Sequence, residues 1–188
     1  MKRLVLALLV CVAALVPCSA KEPADMAEQL GHVAFAWGAQ LGGSIDMSGQ
    51  NMSTIDFYGI VGMQYKWIKM FGVGVGANIM ASNSCRSYPV FATFRTDFLS
   101  KRRGLVFLDT RAGIANNTFP GSIERTGFYG YAGVGVNLAT GRKFASFLSL
   151  GYSYVHRGNV SATNAEGVAE SYYLPHLHYA SVALGVVF

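Results

Sequence analysis

The stretch Phe71-Gly72-Val73-Gly74-Val75-Gly76-Ala77-Asn78-Ile79 carries a bulky apolar side chain at nearly every second position and almost nothing between. A period of two is the signature of a β-strand with two unlike faces. The same alternation recurs along the chain. Val33, Phe35, Trp37, Ala39 and Leu41 oppose His32, Ala34, Ala36, Gly38 and Gln40. Phe57 to Tyr65 is apolar on both faces, which leaves its orientation open. Tyr88, Val90, Ala92, Phe94 and Phe98 oppose Thr93, Arg95 and Asp97, and Val106, Leu108, Ala112 and Ile114 oppose Asp109 and Arg111. Runs around Phe128–Leu138 and Phe144–Tyr154 follow. The last, from about Tyr172, ends on the stripe Val182, Leu184, Val186 and Phe188. Eight such runs of about ten residues have the length and even count of the smallest membrane-crossing barrels. The fold class read from this pattern is all-β, an eight-stranded antiparallel up-and-down transmembrane barrel.

The N-terminus adds an export signal. Met1-Lys2-Arg3 is positive, Leu4 to Val16 is apolar, and Pro17-Cys18-Ser19-Ala20 supplies small residues before Lys21. Residues 1–20 are expected to be a cleaved signal peptide, 21–30 a periplasmic lead-in and 31–188 the barrel. Cys11 and Cys18 fall in the signal, leaving Cys85 alone, so no disulfide or cysteine metal site is expected. Two of the 15 basic residues also fall there, so the balance against 10 acidic residues is too slight to argue for nucleic acid. Hydrophobic residues make up 52% of the chain and charged ones only 13%, which suits a protein that turns apolar surface outward.

Connections between runs alternate long and short. The long ones, 42–56, 81–87, 116–125 and 157–171, are expected to be exposed outside. The short ones hold Lys66, Lys69, Lys101, Arg102, Arg103, Arg142 and Lys143, a basic set suited to anionic head groups on the periplasmic side. Trp67, Phe71, Phe98, Phe144 and Phe188 bracket one end of the runs, and Tyr58, Tyr88, Phe128, Tyr154 and Tyr172 the other, as two aromatic girdles would. Arg95, Asp97, Asp109 and Arg111 lie opposite the apolar stripes, so they are expected inside as an ion-paired plug. A basic residue on the lipid face near the midplane would cost about 2–4 kcal/mol.

The terminal Phe188 stripe, the Gly-rich strand at Phe71–Gly76 and Phe128-Tyr129-Gly130-Tyr131-Ala132-Gly133-Val134-Gly135-Val136 carry a family resemblance. The chain resembles the small eight-stranded barrels of the OmpA/OmpX type, in particular the outer membrane protein beta-barrel domain group of Gram-negative bacteria. The resemblance covers about Gly31 to Phe188. It implies an outer-membrane location with lipid and lipopolysaccharide as partners. It also implies recognition of the closing strand (Val182, Leu184, Val186, Phe188) by the barrel assembly machinery, and loops free to meet an extracellular partner. The expected role is structural or surface-interactive, with a small low-conductance pore or transporter as the alternative. No enzyme activity, cofactor or metal is expected. The lipid A deacylases place His and Ser two apart on a late strand, whereas His178 and Ser181 here are three apart and so fall on opposite faces.

Overall fold

The computed structural model describes residues 33–65, 68–81, 85–97, 105–119, 123–140, 144–157, 159–163, 169–173 and 176–188. Ten strands are present among the described residues. They are β1 (Ala34–Asp46), β2 (Thr54–Tyr65), β3 (Ile68–Met80), β4 (Arg86–Asp97), β5 (Val106–Phe119), β6 (Ile123–Thr140), β7 (Ala145–Val155), β8 (Asn159–Thr163), β9 (Ala169–Tyr173) and β10 (Leu177–Val187). Eight of them close into an antiparallel barrel in the order β1-β10-β7-β6-β5-β4-β3-β2, and β8 and β9 form a separate hairpin. The end at which β1 leads to β2, β3 to β4, β5 to β6 and β7 to β10 is called the upper rim, and the opposite end the lower rim.

The alternation sets the faces as elementary strand geometry requires. Phe35, Trp37, Leu41, Val61, Phe71, Val73, Val75, Val90, Ile114, Val134, Leu150 and Leu184 are exposed on the outside. Gln40, Ser44, Asp56, Asn78, Thr93, Arg95, Asp109 and Arg111 are buried inside. The run whose orientation was open, Phe57 to Tyr65, turns Phe57, Val61, Met63 and Tyr65 outward and buries Tyr58 and Ile60. This is a soluble protein's distribution turned inside out.

Closure is made by β1 and β10, which pair antiparallel from Gly38↔Val187 to Asp46↔Tyr179. Beyond the last ladder pair, Trp37 N–H donates to the Phe188 carbonyl (3.1 Å) and Phe188 N–H to the Trp37 carbonyl (2.8 Å). The two rings stack outside at 4.5 Å between centroids. Phe144 lies 6.4 Å further on. Register shifts sit near the lower rim, between Met63 and Tyr65, Ile68 and Met70, and Asn137 and Ala139.

The structure corrects the loop boundaries. β1 continues to Asp46 and β2 starts at Thr54, so 42–56 is mostly sheet. β4 begins at Arg86, within the expected loop 81–87. β5 and β6 run to Phe119 and from Ile123, so 116–125 is reduced to 120–122. The stretch 157–171 contains β8 and most of β9. Tyr172 therefore belongs to the upper hairpin and not to the barrel's closing strand, which starts at Leu177. The physical reason is that Ser, Asn and Thr replace apolar residues where strands leave the apolar band, while backbone pairing continues beyond it. Polar composition marked the edge of the band, not the end of the strand. Residues 1–30, Lys66, Trp67, Phe98, Lys101, Arg102, Arg103, Arg142 and Lys143 lie outside the described residues.

One inward glycine pair requires its lack of a side chain. Gly62 and Gly72 face each other across β2 and β3, and a Cβ on Gly62 would lie 2.8 Å from Gly72 Cα. Gly62→Val is expected to force these strands apart and destabilise the barrel by about 1–3 kcal/mol, read as a lower urea midpoint.

Candidate functional site

The lumen is built in tiers. At its centre Asp109 is fully buried and meets two guanidinium groups. Arg95 Nη2–H donates to Asp109 Oδ2 at 2.8 Å, and Arg111 Nη2–H to the same oxygen at 2.7 Å. Thr93 Oγ–H adds a weaker bond to Oδ1 at 3.4 Å. Arg111 also donates to Gln40 Oε1 at 2.6 Å, which ties β5 to β1 on the other side of the barrel. Strand register explains part of this: Arg95 stands directly opposite Asp109, and Thr93 opposite Arg111.

Aromatic rings fill the space around both arginines. The Arg95 guanidinium lies 4.6 Å from the Phe107 ring centre and 4.2 Å from that of Phe147. Those two rings meet edge to face at 5.4 Å. Arg111 lies over Tyr58, Phe91 and Tyr131 at 5.1, 5.4 and 4.6 Å. Tyr129 closes the layer at 5.5 Å from Phe91. Desolvated cation–π contacts of this kind contribute about 2 kcal/mol each.

Asp97 stands apart from the other three charges. It is opposite Phe107, nearer the lower rim, and pairs with Lys69 at 3.4 Å across the irregular end of β3 and β4. Of the four residues expected to form one cluster, the structure brings together Arg95, Asp109 and Arg111 and gives Asp97 a different partner.

Above the aromatic layer is a hydroxyl tier. Ser44 and Thr54 donate to the buried Asp56, Thr54 at 2.6 Å. Ser44 also contacts Ser181 at 2.8 Å, and Ser181 contacts Ser153 at 2.7 Å. This chain joins β2, β1, β10 and β7, so it crosses the closing seam from within. Sequence reading did not single out Gln40, Asp56 or Ser44, and it weighed Ser181 only as a possible partner of His178. Their signal was their parity, since each lies opposite an outward apolar residue.

At the upper rim the described segment 47–53 forms a hydrogen-bonded turn. Asp46 accepts backbone N–H bonds from Ser48 (2.7 Å), Gln50 (2.8 Å) and Met52 (3.1 Å). Gly49 at φ 78° and Asn51 at φ 55° turn the chain so that these donors converge. Met47 N–H donates to the His178 carbonyl (2.8 Å), and His178 N–H to Ser48 Oγ (2.7 Å), which docks the loop on β10. Below it Arg157 Nη1 reaches Met52 Sδ at 3.2 Å, and Nη2 lies 4.0 Å from the buried Cys85 Sγ.

His178 is half-exposed on the outside and Ser181 is buried inside, so the two share no face. Among the described residues no three His, Cys, Asp or Glu side chains converge to hold a metal. A groove of about 430 Å³ lies at the lower rim, lined by apolar residues including Val33, Met63, Phe71 and Phe94.

Together the closed ring, the apolar exterior and the ion-paired core define an eight-stranded barrel of the outer-membrane type. No family model matches the chain, and no curated protein matches its sequence. Among solved structures it is similar to Neisserial surface protein A (NspA), with a TM-score of 0.51 and 15% sequence identity. The match spans 83% of this chain and 97% of the other. At that identity the likeness is one of fold.

Two outcomes follow from this geometry. Asp109→Asn leaves two buried guanidinium groups without a carboxylate, and about 3–5 kcal/mol of stability should be lost in urea unfolding. Asp46→Ala removes the shared acceptor of three N–H groups. The folded barrel should then be cut by protease within 47–53, where the parent chain resists.

Proposed function

We propose that the protein is an integral barrel of the bacterial outer membrane with a structural or surface-interaction role, its upper rim facing outside. One observation carries this reading. Aliphatic and aromatic side chains cover the outside of the ring while Arg95, Asp109, Arg111 and Asp56 are sealed within. In water such a surface would aggregate. In hydrocarbon it is the favourable arrangement, because a closed ring leaves no backbone donor or acceptor unpaired at membrane depth.

The partners on this reading are outer-membrane lipid and lipopolysaccharide around the ring, and the barrel assembly machinery at the closing strand. An extracellular partner would meet the upper-rim segments 47–53, 81–85, 120–122 and 156–176, the corrected equivalents of the expected loops. The docking of 47–53 on β10 supports a surface role, since a pre-ordered loop loses less entropy when it binds. The pore alternative meets a lumen filled by Phe107, Phe147, Tyr58, Phe91 and Tyr129 around two arginines. An eight-stranded ring has an interior that side chains can fill completely.

Fractionation tests the location. The chain should sediment with outer membranes, resist extraction without detergent and migrate differently in gels before and after boiling. Stable monomer in detergent-free buffer would sink the proposal. In planar bilayers the folded protein should be electrically silent, and discrete conductance steps would restore the pore reading.

A further inference from the structure

All three described histidines lie in one place. On the outer face of β7 and just beyond it stand Tyr152, Tyr154 and His156, and beside them stand His178 on β10 and His176 just before that strand. The rings interleave strand by strand as a ladder. Tyr152 is 5.9 Å from His178, His178 is 5.4 Å from Tyr154, Tyr154 is 5.4 Å from His176, and His176 is 4.8 Å from His156. Two rungs are hydrogen-bonded: the Tyr152 hydroxyl to His178 Nδ1, and the Tyr154 hydroxyl to His176 Nδ1 at 2.9 Å.

A phenol and an imidazole pair either way, Tyr O–H to Nδ1 or Nδ1–H to the phenol oxygen, according to the tautomer. Where the phenol donates, the proton of the neutral ring sits on Nε2, and an Nε2–H is a donor suited to an anionic oxygen.

Height supplies the class of ligand. From Phe188 at the lower girdle to His178 is ten residues of one tilted strand. At about 3.4 Å per residue and about 40° of tilt that is roughly 25 Å, the height of the apolar band of such barrels. His178 thus stands where hydrocarbon gives way to head groups, with His176 and His156 above it.

We propose that the Tyr152–His178–Tyr154–His176–His156 ladder is a docking site for the phosphorylated sugar head group of an outer-leaflet glycolipid. In it the Tyr152 hydroxyl would donate to His178 Nδ1, and His178 Nε2–H to a phosphate oxygen. This rests on the outer-membrane reading above and adds to it a specific face, β7–β10, and a specific chemistry.

The test uses the full chain folded into phosphatidylethanolamine vesicles containing bis-phosphorylated lipid A, its dephosphorylated form, or phosphatidylglycerol. Thermal unfolding is followed by gel mobility. The phosphorylated glycolipid should raise the midpoint by several degrees over the other two. His176→Phe/His178→Phe, which keeps rings and removes nitrogen, should abolish the gain. Tyr152→Phe/Tyr154→Phe, which keeps the imidazoles but frees their tautomers, should reduce it, and serves should the first variant fail to fold. Equal midpoints in all three vesicles, or an undiminished gain in either folded variant, would overturn the proposal. A gain with phosphatidylglycerol as large as with lipid A would reduce the site to general anion attraction and overturn it too. Failure of the parent chain to insert into any vesicle would remove the membrane reading and the ladder's role together.

Discussion

The hydrogen-bond ladder between β1 and β10 is the constraint on which the rest of the molecule depends. Without it the sheet has two open edges, each a row of unpaired N–H and C=O groups, which in an apolar medium cost several kcal/mol apiece. With it each of the eight barrel strands has two neighbours. The seam is held at three levels. Outside, Trp37 stacks on Phe188; along the backbone, residues 38–46 pair with 179–187; inside, Ser44 meets Ser181. The ring therefore relies on contacts between residues at opposite ends of the sequence.

Closure also determines what the lumen must contain. A ring this narrow cannot hold a water column and a full set of side chains at once. Charges taken inside must then be paired or wrapped. Asp109 does the pairing for Arg95 and Arg111, and the aromatic rings do the wrapping. Glycines make room for those rings: Gly135 sits against Phe107, and Gly151 and Gly133 against Tyr131. The bare faces between the outward aliphatics are thus the complement of the bulky residues opposite them.

Much of this was legible in the sequence, because a period of two maps directly onto inside and outside. The outward placement of Val73 and Val75 and the inward placement of Arg95 and Arg111 need only parity. Cross-barrel partners were not legible. Gln40 lies 71 residues from Arg111, and nothing local marks either as the other's neighbour. Asp97 was grouped with the central charges because parity gives the face but not the height. It lies two residues further along a tilted strand, nearer the lower rim, where the cation it meets is Lys69. The strand ends failed for a related reason, since the polar residues at 42–46 and 116–119 sit on strands that outrun the apolar band.

The seam has a consequence in time as well as in space. Of the barrel's segments, the one that closes the ring, β10, is made last, and its partner β1 is made first. Bringing them together requires ordering the whole intervening chain, so native closure cannot begin co-translationally with β1 and must wait for residues 177–188. A chain so arranged stays open throughout elongation.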